Sequence, residues 1–341
     1  MTSSLINRRL FLTTIGAASA IGTGFARPVR PRAQSRVKTP VTIANASGIN
    51  TLIMGELMRQ QQFFEHFDLA ATVVHVSDGN KITSSIIGGE TDITAMSGFG
   101  QIFPAMERGG KLKVLAGACI LPTLAAYTAK AEIRTLQDLA GKTIGSGAAG
   151  SLVHQLMLAL LRKKGVDTSG IRFVNIGASP DIFRAVSVGT VDAWLGESTL
   201  LLDPAKPVRM LPSSNLADEL PEYTYQGAYT SHAMIASKRE ILVRTLAAYG
   251  MLYRFVQTPE ARDAFIKARS AIVKNGSMEE HLLIWNFIQE KQPFAKDLTL
   301  NDERLRYMQS LNLDLKVQKT QLPFSQTADM SLAQDAVKLL G

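Results

Sequence analysis

Apolar and polar positions alternate in two rhythms along this chain, and the switch between them marks out its elements. Residues 41–44 form a short β-branched run, and the small-polar stretch 45–50 after it has turn chemistry. Leu52, Ile53, Leu57, Phe63 and Phe64 then recur at helical spacing, and residues 72–76 read as the next strand. Asp78 is placed to cap a helix carrying Ile82, Ile86 and Ile87, which Gly88-Gly89 stops before another short apolar strand. The order β-α-β-α-β predicts a largely parallel sheet.

The same rhythm returns further on. Residues 136–139 read as a helical turn, 142–145 as a strand, 152–163 as a helix ended by Gly165, 173–176 as a strand and 182–188 as a helix. The repeat is visible in letters too: Gly89-Glu90-Thr91-Asp92 and Gly189-Thr190-Val191-Asp192 each follow an apolar helix and open a strand. Ser97 and Glu197 therefore hold equivalent places past the carboxyl ends of two strands, where open α/β sheets gather ligands. Residues 230–236 read as a returning strand. Beyond them helices are predicted at 239–257, 260–273, 278–289, 302–311 and 332–340, packing back on the first half.

The expected fold is thus α/β and two-lobed, with two mostly parallel sheets: 41–128 plus 233–341 in lobe one and 129–232 in lobe two. Crossings near 127–131 and 229–236 would form a hinge.

The N-terminus changes the picture of location. Asn7-Arg8-Arg9-Leu10-Phe11-Leu12 precedes a mildly apolar run, 13–25, that is too short to span a bilayer. Residues 1–26 resemble a twin-arginine export signal, with Gly24-Phe25-Ala26 at the cleavage region, so the export machinery is an expected partner. Residues 27–40 read as a basic, Pro-containing, disordered linker. The formal charge of +8 is concentrated there: no acidic residue precedes Glu56, and the leader and linker hold seven cations, which leaves 39–341 at +1. A nucleic-acid partner is not expected of so neutral a body. Cys119 is the sole cysteine, inside an apolar run (114–121) that reads as a buried strand. It allows no disulfide, and no cysteine at the cleavage region provides a lipid anchor. A monomer free in the periplasm is expected.

Candidate chemistry lies in the strand-end loops. Gly145-Ser146-Gly147-Ala148-Ala149-Gly150 spells G-x-G-x-x-G, but the following strand ends at Asn175-Ile176-Gly177 without the acidic residue of a dinucleotide site. No Lys-Ser/Thr follows it, which excludes a P-loop. The loop is instead suited to offering backbone N–H groups to an anion, with Ser151 capping the helix from Leu152. The expected ligand-binding set is Ser47, Gly48, Asn50, Ser97, Gly98, Thr123, Ser146, Ala149, Gly150, Ser151, Trp194, Glu197 and Thr230. Two readings of Glu197 stand: it recognises an amine or N–H edge, or it faces solvent and caps a following helix. Trp194 is either core or a stacking platform. The histidines His66, His75, His154, His232 and His281 show no metal-ligand spacing, and His154, in the first turn of the ligand-loop helix, is read either as a surface residue or as a contact to a bound group. No metal, cofactor or catalytic nucleophile is expected.

Three segments together resemble a known family: the Gly-x-x-Asp strand starts at Gly89 and Gly189, Arg108-Gly109-Gly110-Lys111-Leu112-Lys113-Val114, and Leu136-Gln137-Asp138-Leu139-Ala140-Gly141-Lys142-Thr143-Ile144-Gly145. The chain is similar to periplasmic solute-binding proteins of ABC importers of the nitrate/sulfonate/taurine type, which share a domain with thiamine-pyrimidine synthesis proteins. The resemblance implies a type II binding-protein fold that closes on a small anionic or zwitterionic ligand and docks on a permease with its ATPase. It implies Ser47, Ser97, Thr123, Ser146, Ser151 and Glu197 in or beside the cleft. Gln61-Gln62-Phe63-Phe64-Glu65 departs from the family's glycine-tyrosine-phenylalanine stretch, and Ser198-Thr199 replaces a common Pro-Trp. Sulfonate, nitrate, carboxylate and pyrimidine ligands all stay open. So do a tripartite transporter or sensor as partner and, more remotely, a thiamine-pyrimidine enzyme, whose cysteine-rich segment is lacking.

Overall fold

The structure, a computed structural model, describes residues 38–147, 151–176, 179–197 and 207–341, with the side chains of 179–181 excepted. The expected leader and most of the expected linker lie outside these residues. The elements in chain order are β1 (Thr39–Ala46), α1 (Ile49–Gln61), α2 (Phe63–His66), β2 (Leu69–Val76), α3 (Gly79–Ile87), β3 (Thr94–Ser97), α4 (Ile102–Glu107), β4 (Leu112–Gly117) and β5 (Leu124–Thr128). There follow β6 (Thr143–Ser146), α5 (Leu152–Lys163), β7 (Arg172–Asn175), α6 (Ser179–Ser187), β8 (Ala193–Glu197), β9 (Arg209–Met210), α7 (Leu216–Glu219) and β10 (Gly227–Ser231). The C-terminal helices are α8 (His232–Val256), α9 (Arg262–Ile272), α10 (Met278–Lys291), α11 (Asp302–Asp314), α12 (Phe324–Thr327) and α13 (Ser331–Lys338).

Two sheets share one strand plan. In the first, β2 pairs in parallel with β1, a parallel bridge between Ile43 and Ile93 carries β1 to β3, and β10 lies antiparallel between β3 and β4. In the second, the order is β7-β6-β8-β5-β9, with β6 parallel to both neighbours and β5 antiparallel to β8 and β9. Each sheet is parallel on one side and takes its antiparallel strand from the other half of the chain.

That exchange corrects the expected boundaries. Leu124–Thr128, assigned to lobe one, pairs with β8 in the second sheet; Gly227–Ser231, assigned to lobe two, pairs with β3 and β4 in the first. The crossings therefore fall at 118–123 and 220–226, and they touch. Ala118 N–H donates to the Gln226 carbonyl at 3.0 Å, and Gln226 N–H donates to the Cys119 carbonyl at 2.8 Å. Cys119 lies in the first of these crossings, beyond the end of β4. The returning strand also ends early: Ser231 accepts from Met234 N–H, and α8 starts at His232.

The repeated Gly-x-x-Asp is structural. Gly89 (φ 79°) and Gly189 (φ 78°) take the left-handed turn that ends each helix. Asp92 then accepts from Thr42 N–H at 2.8 Å and pairs with Lys238 at 2.6 Å, while Thr230 Oγ1 donates to its carbonyl. Asp192 repeats the arrangement with Thr143 N–H at 2.7 Å, Lys130 and Thr128 Oγ1. Burial would raise the Asp192 carboxyl, but Lys130 and the Thr143 N–H outweigh it and hold the group below the usual carboxylate range.

The C-terminal helices mostly cover the first sheet, where Leu246, Phe265, Trp285 and Leu332 join Ile43, Ile53 and Leu57 in one core. Helix α11 departs from the expected packing. Its Leu305 and Met308 share a second core with Leu156 and Leu160 of α5, so it spans from one sheet's helices to the other's.

Candidate functional site

The carboxyl ends of β1 and β3 lead into small-polar loops, β6 ends at Ser146 and β8 at Glu197, and the first connection between the two halves supplies Thr123. At their junction, Glu197 ends β8. Its Oε2 accepts from Asn50 Nδ2 at 2.9 Å and from Thr123 Oγ1 at 3.2 Å, and its backbone carbonyl accepts from Tyr127 OH at 2.9 Å. Asn50 sits in the first turn of α1 because the extended Gly48 (φ −63°, ψ 148°) delivers the chain into the helix there. Its amide is thus placed across from the second sheet. Lost solvent pushes the Glu197 carboxyl up to about 7, against the downward pull of Thr123, the Arg269 guanidinium and Asn50.

Further polar groups surround this bridge. Tyr225, on the second crossing, is hydrogen-bonded to Thr123, and burial holds its phenol in the neutral form. Arg269 is 7% exposed on α9, and its Nε has no partner. Burial lowers its pKa, while Glu280 and Glu197 pull it up. At the start of α5 the Ser151 hydroxyl is buried without a partner. Ser151 occupies the N-cap position of α5 but makes no capping bond, contrary to expectation. A buried hydroxyl in that state costs stability unless something bonds it.

The two halves meet a second time beside these loops. Asn312 Nδ2 of α11 donates to the Gly100 carbonyl at 2.8 Å, and Gln155 Nε2 of α5 donates to Asn312 Oδ1 at 2.7 Å. A Cβ on Gly98 would come within 3.1 Å of Leu152 Cδ2, so the β3–α4 loop lies directly against the start of α5.

Of the expected set, Asn50, Thr123 and Glu197 are brought together. Ser47 and Gly48 are exposed on the adjoining loop. Ser97 and Ser146 are buried at their strand ends, their hydroxyls donating to the carbonyls of Gly98 and Gly147. Ala149 and Gly150 lie outside the described residues. Two residues leave the set. Trp194 is 1% exposed and packs against Tyr127 (centroids 5.1 Å) and Phe183 (5.8 Å), because it alternates away from Glu197 into the core on the sheet's other face. Thr230 is wholly buried and committed to the Asp92 carbonyl. Gly145 also has a packing role, since a Cβ there would strike Ile182 at 2.7 Å. His154 packs edge-on to Phe173 at 4.4 Å and is partly buried, not on the surface.

Sequence reasoning missed Arg269, Tyr225, Gln155 and Asn312. Arg269 did leave a signal: it falls four residues after Phe265, on the buried face of α9.

The sequence profile described as NMT1/THI5 like matches residues 52–260, well over half of the chain. The chain belongs to the NMT1/THI5-like family. A comparison with curated protein sequences returns no match. Among solved structures, the fold is similar to the periplasmic aliphatic sulphonate binding protein SsuA from Escherichia coli (TM-score 0.66, 18% identity, 85% of this chain and 92% of that one). It is also similar to the alkanesulfonate-binding protein SsuA from Xanthomonas axonopodis pv. citri bound to MOPS (TM-score 0.67, 16% identity, 86% and 99%). The desulfurization enzyme DszB shares it as well (TM-score 0.62, 14% identity, 89% and 100%). The fold is that of the periplasmic binding proteins, and it hosts both binding proteins and an enzyme.

Among the described residues no helix is long and apolar enough to cross a membrane, and no group of three His, Cys, Asp or Glu side chains is placed to hold a metal ion.

Proposed function

We propose that this protein is an extracytoplasmic solute-binding receptor that captures a small anionic or zwitterionic ligand between its two sheets and delivers it to an ABC permease. The observation that carries the reading is the Asn50–Glu197–Thr123 junction. It lies where the carboxyl ends of two like-ordered sheets meet, beside the paired crossings that can serve as a hinge. Closure is then a choice between open and closed states, which a ligand favouring the closed one shifts.

The site reads a ligand by hydrogen bonding. Glu197 accepts an N–H edge or amine, Ser151 offers a hydroxyl that has no partner of its own, and Arg269 supplies positive charge nearby. The likeness to sulfonate-binding proteins supports an acidic headgroup without choosing between sulfonate, nitrate and carboxylate. The twin-arginine leader supports export to the periplasm, and the seven-cation excess ahead of residue 39 is accounted for by leader and linker.

An enzyme on the same fold is the second reading, and DszB is the reason to weigh it. Burial pushes the Cys119 thiol up to about 12, so it stays protonated at neutral pH and is a poor nucleophile. That favours the receptor.

The test is thermal denaturation of the full chain against sulfonates, nitrate, carboxylates, pyrimidines and amino acids. Binding to the native state alone raises stability by RT ln(1 + [L]/Kd). A concentration-dependent rise with one class supports the proposal; no rise with any of them, alongside turnover of one, overturns it. Neighbouring genes encoding an ATPase and a permease, rather than two membrane proteins with no ATPase, would separate an ABC importer from a tripartite transporter.

A further inference from the structure

Behind Asn50 and Thr123, inside the first half of the molecule, lies a chamber that the polar junction leaves unused. Its walls are Met54 of α1, Met96 of β3, Phe265 of α9, Ile288 of α10 and Phe294, and its enclosed volume is about 30 Å³. That is room for one or two water-sized groups. The lining is mostly apolar, with Ile284, Phe287 and Pro293 among its further walls. Asn50, Thr123, Tyr225 and Gln226 are its polar lining residues, and the first two are the residues that donate to Glu197.

The chamber and the candidate site therefore share a wall. A ligand whose polar group engaged Asn50, Thr123 and Glu197 would have an apolar hole directly behind those side chains. Two of the walls are methionines, whose unbranched, polarisable side chains change rotamer readily and let a small chamber grow. The hinge segments also border it through Cys119 and Gln226, so its filling would be felt where the two halves join.

We infer that this chamber is an apolar subsite, and that the ligand is amphipathic: a polar head at the Asn50–Thr123–Glu197 junction and a short apolar arm of a few carbons seated between Met54, Met96 and Phe265. The inference rests on the receptor reading. It excludes inorganic anions such as nitrate as the preferred ligand, because they leave the chamber empty.

Titration calorimetry on the full chain with straight-chain sulfonates, carboxylates and amines of one to eight carbons tests it. In a series that binds, affinity is expected to rise by up to about fourfold per methylene over the first few carbons and then level off or fall as the chamber fills. Ile288→Ala, which lengthens the chamber, is expected to move that optimum to a longer chain. Should this variant not fold, the unmodified chain still decides. Binding with no gain, or a loss, from the first added carbon would overturn the apolar subsite while leaving the receptor reading intact. Failure of every series, with nitrate or another inorganic anion binding instead, would overturn the subsite too. Failure of every compound would overturn both.

Discussion

Asn50 Nδ2 donates to Glu197 Oε2 at 2.9 Å, a bond that runs from the first helix of one sheet to the last residue of a strand in the other. It places a partly buried carboxylate at the junction of the two halves. A group in that position is costly to ionise, and its protonation state becomes coupled to whatever occupies the cleft.

The pH dependence of stability follows from that coupling. The Glu197 carboxyl is raised to about 7 in the folded chain from an ordinary 4.5, so between these values the folded state holds more protons than the unfolded one. Its stabilising contribution is whole below about pH 4.5 and is lost as pH rises through 7. Glu197→Gln is therefore expected to gain up to about 3 kcal/mol over the native chain at pH 8 and little at pH 5. Urea denaturation at the two pH values checks this, and an equal difference at both would contradict it.

A second prediction concerns the amide bridge. Asn312→Ala removes the partner of both the Gly100 carbonyl and the Gln155 amide, each costing about 1–3 kcal/mol when buried unpaired. Since the bridge joins the two halves, ligand affinity is expected to fall tenfold or more along with the melting temperature. Calorimetric titration showing unchanged affinity would mean that Asn312 serves folding alone.

The twin aspartates are expected to behave differently. Asp92→Ala and Asp192→Ala each remove an acceptor from a backbone N–H and a lysine's partner, with a loss of about 1–3 kcal/mol apiece. Being in separate sheets, the two losses should add. Chemical denaturation gives the sum, and ligand affinity should change little in either variant.

The repeat was the most legible part of the sequence, because glycine stops and aspartate strand starts are local signals. Gly89 and Gly189, Asp78 as a cap and the β-α-β order all appear in the structure. The exchange of β5 and β10 was not legible. An apolar run such as 124–128 has the same composition whichever sheet receives it, and only its pairing with β8 decides. The site divides the same way. Asn50, Thr123 and Glu197 stood out as polar residues at strand ends, whereas Gln155 and Asn312 interrupt helical apolar stripes and look solvated until the halves are brought together. Trp194 was ambiguous by alternation alone; the neighbours Tyr127 and Phe183 settle it.

Export is testable without knowing the ligand. Replacing Arg8 and Arg9 by Lys keeps the charge but removes the paired arginines, and is expected to leave the precursor in the cytoplasm. Cell fractionation reads this directly; unimpaired periplasmic accumulation would point to another route.

Calorimetric titration of the native chain, Asn50→Ala and Glu197→Gln with the ligand class found by thermal screening tests the central claim most directly. One-to-one binding to the native chain, weakened at least tenfold in both variants, is the predicted result. One-to-one binding that neither substitution changes would place the ligand elsewhere and contradict the account.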